Sequence, residues 1–268
     1  MATKIAIAGA AGRMGRRIIA LASSDAAFKL VGALESPGSD LLGRDAGELA
    51  GIGHLGLAVT IAPPGEFDVL IDFSSPVGTI QWIGVCQEVR RALVIGTTGH
   101  DESAIAKLRS AAKAIPILKA ANMSVGVNLM LRLVQQAAAA LDGSYDVEIV
   151  EAHHRFKVDA PSGTALAIRD AVNAGRADAG KGPGNVVHGR QGNTGERKAG
   201  EIGMHALRIG DTVGEHTISF GALGETISIS HSAHSRDTFV GGALRAAAWI
   251  NGKQPGMYDM QDVLFGRA

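Results

Sequence analysis

Apolar and polar positions follow two different rhythms along this chain. From Lys4 to about Leu118, short apolar runs alternate with helix-like stretches. Lys4–Ala8 (KIAIA), Phe28–Leu34 (FKLVGAL), Val69–Phe73 (VLIDF), Leu93–Ile95 and Ile115–Leu118 read as strands. Runs this rich in Val, Ile and Leu suit a parallel sheet covered on both faces. Helices are predicted from the first Gly-rich turn through Ala22, over Val77–Arg90, and from a cap at Asp101 to about Ala114.

After a long predicted helix, Ser124–Leu141, the rhythm changes. Ser144–His154 reads as a strand, clearest over Tyr145–Val150, and Ser162 to about Asn173 as a helix. Gly175–Gly200 is rich in Gly, Asn and Lys and reads as one long loop. Strands follow at about Ile202–Ile209, Glu215–Gly221 and Thr226–Ser232, with Gly-containing turns between them, so an antiparallel-leaning sheet is expected. Asp237–Asn251 is helical in pattern and the tail is mixed. One helix and a tail do not make a domain, so they are assigned back to the first unit. The expected organisation is residues 1–124 with 234–268 as one, discontinuous domain, and 125–233 as a second.

Composition narrows the class. The 268 residues are 46% hydrophobic and 19% charged, as in an ordinary globular protein. Lys and Arg match Asp and Glu at 26 each, so no global field favours nucleic acid or an anionic membrane. The lone cysteine, Cys86, excludes an internal disulfide framework and any multi-Cys metal site, and no metal is expected. With no apolar run of spanning length and no leader pattern before the first strand, the expected location is cytoplasmic.

Two stretches carry candidate chemistry. Gly9-Ala10-Ala11-Gly12-Arg13-Met14-Gly15 joins the first strand to a helix, the context of a dinucleotide-binding turn. Glu35 ends the second strand about twenty residues beyond Gly15, the distance at which an acid meets the adenosine ribose hydroxyls. Phe73–Ser74, Gly96-Thr97-Thr98 and Ala120-Ala121-Asn122-Met123 also fall at carboxyl ends of strands, where α/β sheets bind ligands. The second stretch is Glu151–Leu166 (EAHHRFKVDAPSGTAL), where two histidines, an arginine, a lysine and two carboxylates leave a strand and enter a loop. That loop closes on Ser162, a good helix N-cap, and a helix start attracts anions. Proton-transfer groups and a place for a carboxylate or phosphate therefore share one loop.

These motifs, with HGRQGNTGERKAGEIGMH and GDTVGEHTISF, come in the order and spacing of the 4-hydroxy-tetrahydrodipicolinate (dihydrodipicolinate) reductases of bacterial diaminopimelate and lysine synthesis. The resemblance runs from Lys4 to about Phe265. It implies an α/β chain, with a Rossmann-like parallel-sheet nucleotide-binding domain and a mixed α+β substrate-binding and tetramerisation domain. It implies hydride transfer from NADH or NADPH to a cyclic imine dicarboxylate, with loss of the 4-hydroxyl as water. His153 would be the proton donor and acceptor and Lys157 a second proton donor, with His154, Gly163 and Thr164 holding substrate. Cofactor contacts would fall on Gly9, Ala10, Ala11, Gly12, Arg13, Met14, Glu35, Gly96, Thr97, Thr98, Ala120, Ala121, Asn122 and Met123. The expected assembly is a homotetramer, with the Gly182–Gly200 loop reaching a neighbour.

The chemistry of these residues agrees with that reading. Hydride addition to a conjugated imine leaves an enamine that must gain a proton, and histidine can deliver one near neutral pH. Lysine offers positive charge to a developing anion or a substrate carboxylate. Two departures stand out. Many relatives carry a basic residue after the strand-end acid, where this chain has Ser36 and Pro37, so NADH is expected to serve at least as well as NADPH. Phe156 stands where a common form has a third histidine. Another Rossmann oxidoreductase on a small amino or keto acid would share the Gly turn and Glu35 but has no need of HHRFK followed by PSGT. A non-catalytic dinucleotide-sensing module would tolerate loss of His153 and Lys157.

Overall fold

The computed structural model describes residues 1–63 and 65–266. In chain order the elements begin with β1 (Thr3–Ala8), α1 (Arg13–Ser23), β2 (Phe28–Leu34), α2 (Ala46–Ala50), β3 (Val59–Thr60) and β4 (Val69–Asp72). Next come α3 (Pro76–Val89), β5 (Ala92–Ile95), α4 (Glu102–Ala111), β6 (Pro116–Lys119) and α5 (Val125–Ala140). Then follow β7 (Asp146–His153), α6 (Gly163–Asp178), β8 (Asn185–His188), β9 (Glu201–Arg208), β10 (Gly214–Ala222) and β11 (Glu225–Ala233). The chain ends with α7 (Asp237–Ile250), β12 (Gly256–Tyr258) and α8 (Met260–Phe265). It divides into two compact units, 1–125 with 237–268, and 126–236.

The first unit is a seven-stranded sheet in the order β12-β6-β5-β4-β1-β2-β3, parallel throughout. The near-continuous apolar strands explain it. Ile5 and Ile7 of β1 pack on one face with Ile18 and Ile19 of α1 and Val240 and Ala247 of α7. Ala6 and Ala8 point to the other face, with Trp82 and Ile83 of α3 and Leu108 of α4. Both faces are covered, so neither set of side chains can be polar. The strand order reverses direction between β1 and β4, which is where such sheets open a ligand crevice.

The second unit is a five-stranded sheet in the order β11-β10-β7-β9-β8. It is mixed rather than antiparallel-leaning: β10 runs antiparallel to β7 and β11, while β9 runs parallel to β7 and to β8. Periodicity reports which residues share a face but not strand direction. Here α6 is the crossover that returns the chain parallel to β7. The stretch read as one loop from Gly175 to Gly200 holds the last turn of α6 and the edge strand β8. That strand has only Val186 and Val187 as apolar positions, too few to show a period against a Gly-rich background. Short elements between Ser36 and Thr60, and β12 in the tail, escape the pattern for the same reason. Helices α5 and α6 cover one face of the sheet, where Met130, Val134, Ile168 and Val172 meet Val147, Ile149, Ile202, Ile218 and Phe220.

Glycine is required where the turn after β1 meets its neighbours. Gly9 has φ +74°, and a Cβ there would stand 2.4 Å from the Phe73 carbonyl oxygen. A Cβ on Gly15 would stand 2.1 Å from the Gly9 carbonyl oxygen, so α1 could not lie against the turn. The obstruction is backbone and cannot rotate away. Gly15→Ala is therefore expected to lower stability by about 1–3 kcal/mol, read as a lower urea midpoint at unchanged slope. An unchanged midpoint would show that α1 and the turn separate freely.

Candidate active site

In the first unit the turn after β1 rests on the end of β2. The N–H groups of Gly9 and Ala10 both donate to the Leu34 carbonyl, at 3.0 and 3.1 Å. Glu35, the residue that follows β2, is thereby brought to the turn. Its Oε1 accepts from the Ala11 N–H at 2.9 Å, and its Oε2 from the Ser36 N–H at 3.3 Å. A cavity of about 320 Å³ opens at this point, bounded by Gly9, Gly12, Glu35 and Ser36 and by Ser75 and Trp82. A carboxylate has about four acceptor positions, so two contacts leave room for ribose hydroxyls.

The other predicted cofactor residues are distributed less evenly. Arg13 is exposed at the start of α1, while Met14 is partly buried against the core. Gly96, Thr97 and Thr98 follow β5, and Ala120–Met123 follow β6, at the same carboxyl edge of the sheet. Thr97 turns inward: its hydroxyl accepts from the Ser74 N–H at 3.0 Å and lies 3.3 Å from the Asp72 carbonyl. Met123 is buried, and Gly242 of α7 packs so closely on its carbonyl that a Cβ there would stand 1.7 Å away. Thr97 and Met123 therefore offer backbone, not side chain, to a ligand. Ser75, the N-cap of α3, and Trp82 within it were not singled out by sequence reasoning, because that apolar helix carries no motif.

In the second unit the site grows out of the core by the two-residue period of the strands. On the helix-covered face, β7 runs Val147, Ile149, Glu151, His153. Beside it β9 runs Ile202, Met204, Ala206, Arg208, and β10 runs Phe220, Ile218, His216, Gly214. One end of a packed apolar face thus becomes ionisable.

Glu151 is the centre of this group and is 1% exposed. Its Oε1 accepts from the Ser162 N–H at 3.1 Å and from Arg208 Nη2 at 2.9 Å. Its Oε2 lies 2.6 Å from His153 Nδ1 and accepts from Arg208 Nη1 at 2.9 Å. Burial alone would raise the carboxyl pKa, but the hydrogen bonds from Arg208, His153 and Ser162 outweigh it and the net shift is downward. Arg208 also donates to the Asp159 carbonyl at 2.6 Å, tying the loop to β9.

Ser162 caps α6, its hydroxyl accepting from the Ala165 N–H at 3.2 Å and lying 3.1 Å from His216 Nε2. His216 stands edge-on to His153, ring centroids 5.1 Å apart. Desolvation lowers its pKa to about 4, helped by His153, so it is neutral at physiological pH. Gly214 stands beside the other His153 nitrogen, and a Cβ there would lie 3.1 Å from Nε2. The loop after β7 folds back where Lys157 N–H donates to the His154 carbonyl at 3.0 Å. Lys157 Nζ is paired with both oxygens of Asp159, at 2.8 and 2.9 Å, and its hydrogen bond keeps that carboxyl below the usual range. Phe156 is 79% exposed, its ring 6.3 Å from that of His154. Gly163 and Thr164 open α6. The structure thus groups His153 with Glu151, Ser162, Arg208 and His216. Arg208 and His216 were not assigned from sequence, since their strands show only alternation and their register with β7 is tertiary.

Comparisons with known proteins come out alike for both units. The family model described as "Dihydrodipicolinate reductase, N-terminus" matches residues 3–123, and "Dihydrodipicolinate reductase, C-terminus" matches residues 126–264. A 4-hydroxy-tetrahydrodipicolinate reductase from Alkalilimnicola ehrlichii is 54% identical over 269 residues, covering 98% of this chain and 99% of its own. Among solved structures, dipicolinate-bound dihydrodipicolinate reductase from Paenisporosarcina sp. TG-14 has TM-score 0.74 at 22% identity, covering 99% of this chain and 100% of that one. A probable dehydrogenase from Thermotoga maritima has TM-score 0.58 at 12% identity, covering 97% and 92%, a likeness of fold. With the Gly-turn unit and the HHRFK–PSGT unit both matched, and a relative similar from end to end, the chain belongs to the dihydrodipicolinate reductase family.

Proposed function

We propose that this chain reduces 4-hydroxy-tetrahydrodipicolinate to tetrahydrodipicolinate with NADH or NADPH, releasing water, in diaminopimelate and lysine synthesis. The observation that carries the reading is His153, held by Glu151 at the end of β7 next to the Ser162-capped start of α6. The cradle fits a dinucleotide: Gly9 and Gly15 leave no side chain at the turn, and Glu35 is aimed at the cavity mouth. Gly9–Met14, Glu35, Gly96–Thr98 and Ala120–Met123 would hold it, and when bound it supplies hydride to C4 of the substrate ring. Loss of the 4-hydroxyl as water, with a proton passing from the neighbouring ring carbon to His153, creates the conjugated double bond; hydride and that proton then saturate it.

His153 donates that proton to the ring carbon next to C4, keeping its electron pair on nitrogen. Lys157 supplies positive charge, and a proton for the departing hydroxyl, once the substrate draws it from Asp159. The start of α6, with Gly163 and Thr164, and His154 take the carboxylates of the dianion. This assignment predicts that His153→Gln and Lys157→Ala each lower kcat by about 10²- to 10⁴-fold while NADH binding stays nearly unchanged. A coupled assay with dihydrodipicolinate synthase generating substrate, read at the nicotinamide absorbance, measures it. Wild-type turnover in both variants would refute the roles.

Cofactor preference follows from Glu35. The Ala11 and Ser36 N–H groups hold its carboxylate at the turn, so it cannot swing away from a 2′-phosphate. The like charges repel by about 1 kcal/mol at 4 Å even in bulk water. Ser36 carries no charge, and Arg16 Nε is committed to the Ala11 carbonyl at 2.7 Å, leaving Arg13 as the cation of this turn best able to offset the repulsion. NADH is expected to be used at least as well as NADPH, and Ser36→Arg to shift kcat/KM toward NADPH at fixed ionic strength. A wild-type preference for NADPH of about tenfold, ~1.4 kcal/mol, would show that Arg13 outweighs Glu35.

Self-association is the remaining part of the reading. On the sheet face away from α5 and α6, Val150 and Leu207 are 37% and 51% exposed. They stand among hydroxyl pairs, Thr217 with Ser230 and Ser219 with Ser228, each at 2.9 Å. An uncovered face of this kind suits a second copy of itself. A homotetramer is expected by light scattering at micromolar concentration, and the mass of a single chain would contradict it.

A further inference from the structure

We infer that Glu151, clamped by Arg208, is a positioning residue that fixes His153 in the Nδ1–H tautomer, so that Nε2 alone exchanges a proton with substrate. The inference rests on His153 as the proton donor and adds what makes it competent.

The argument is one of satisfied lone pairs. The carboxylate of Glu151 has about four acceptor positions: three are met by fixed donors, two from Arg208 and one from the Ser162 backbone, and the fourth faces His153 Nδ1. Neither the guanidinium nor the backbone N–H can become an acceptor, and the guanidinium sets its full positive charge against both oxygens, so the proton between Glu151 and His153 rests on the imidazole and Glu151 is ionised. An ionised carboxylate only accepts, and at 2.6 Å the ring nitrogen facing it must carry hydrogen. His153 Nδ1 is therefore N–H in both the neutral and the charged imidazole. The variable proton is on Nε2.

Four surroundings keep that nitrogen usable. Gly214 withholds a Cβ that would stand 3.1 Å from Nε2. His216, from β10, lies edge-on to the ring and is neutral at physiological pH, adding no repulsion when His153 is charged. Arg208, from β9, has both its Nη atoms turned to Glu151, so its charge is offset there. From the loop, the charge of Lys157 is shared with Asp159. When the proton leaves Nε2 the ring is already the neutral Nδ1–H tautomer, and no reorientation is needed. Because Ser162 caps α6 and donates to the same carboxylate, Glu151 also fixes the distance between His153 and the helix start where an anion would bind.

The substitution that isolates this role is Glu151→Gln, equal in shape. Its amide oxygen faces Ser162 and Arg208 Nη2, which places the NH2 against His153 Nδ1 and Arg208 Nη1. The ring relieves the first clash by becoming the Nε2–H tautomer, and Arg208 Nη1 keeps its bond to the Leu207 carbonyl. The expected result is a kcat lower by about 10³- to 10⁴-fold, with KM for substrate changed by less than about threefold.

The spectroscopic readout does not depend on activity: nitrogen-15 histidine spectra at a pH well above the ordinary imidazole pKa of about 6.5, with His153 assigned by its loss in His153→Gln. Wild type should show His153 as Nδ1–H, and Glu151→Gln should show Nε2–H. Nε2–H in the wild-type spectrum overturns the inference even if Glu151→Gln does not fold. So does a Glu151→Gln enzyme with wild-type kcat while His153→Gln is inactive. If His153→Gln itself turns over normally, the proton-donor role falls, and the wild-type spectrum still decides the tautomer.

Discussion

A carboxylate removed from water has to be surrounded by donors or it will not stay charged. Glu151 meets that requirement with a guanidinium, an imidazole and a backbone N–H. Each partner comes from a different place: Arg208 from β9, His153 from the end of β7, and Ser162 from the cap of α6. One buried charge therefore fixes a strand register, a ring orientation and a helix start together. Removing any partner leaves a buried group unsatisfied, so these contacts are expected to be lost together rather than one by one.

The sheet prepares this arrangement. Its two-residue period puts Val147, Ile149, Glu151 and His153 on one face, so the side chains that build the core and the ionisable ones share a single row. Parallel pairing with β9 sets Arg208 opposite His153, and antiparallel pairing with β10 sets His216 opposite Glu151. A shift of one residue in either register would send the partner to the opposite face. Side chains on such a frame are held in place before any ligand arrives.

The nucleotide unit solves a different problem with backbone. The Gly turn is pinned to the Leu34 carbonyl, and Glu35, one residue further on, is pinned back to the turn through Ala11. Glycine at positions 9 and 15 permits the approach of turn, strand and helix, and the acid then lies at a set distance from any group bound at the turn. The Glu35 carboxylate is thereby held at the turn by two backbone N–H groups.

Much of this is local and could be read along the chain. The parallel sheet follows from the buried apolar runs, the helix starts from Asp101 and Ser162 as caps, and the Gly turn with Glu35 from spacing alone. The HHRFK–PSGT stretch carries His153, Lys157 and the helix start within a dozen or so residues, so its chemistry was legible before its shape. Other features depend on pairings between distant segments, which periodicity does not encode. Strand β8 has too few apolar residues to announce itself, and the parallel direction of β9 comes from the α6 crossover. Arg208 and His216 lie 57 and 54 residues from their partners Glu151 and Ser162. In their own strands they are merely polar residues at alternating positions. Sequence determined which groups could do the chemistry, because residue type and local spacing are properties of the chain. Tertiary structure decided which nitrogen of His153 faces Glu151, because only folding brings a buried carboxylate, and the charge that neutralises it, to that nitrogen.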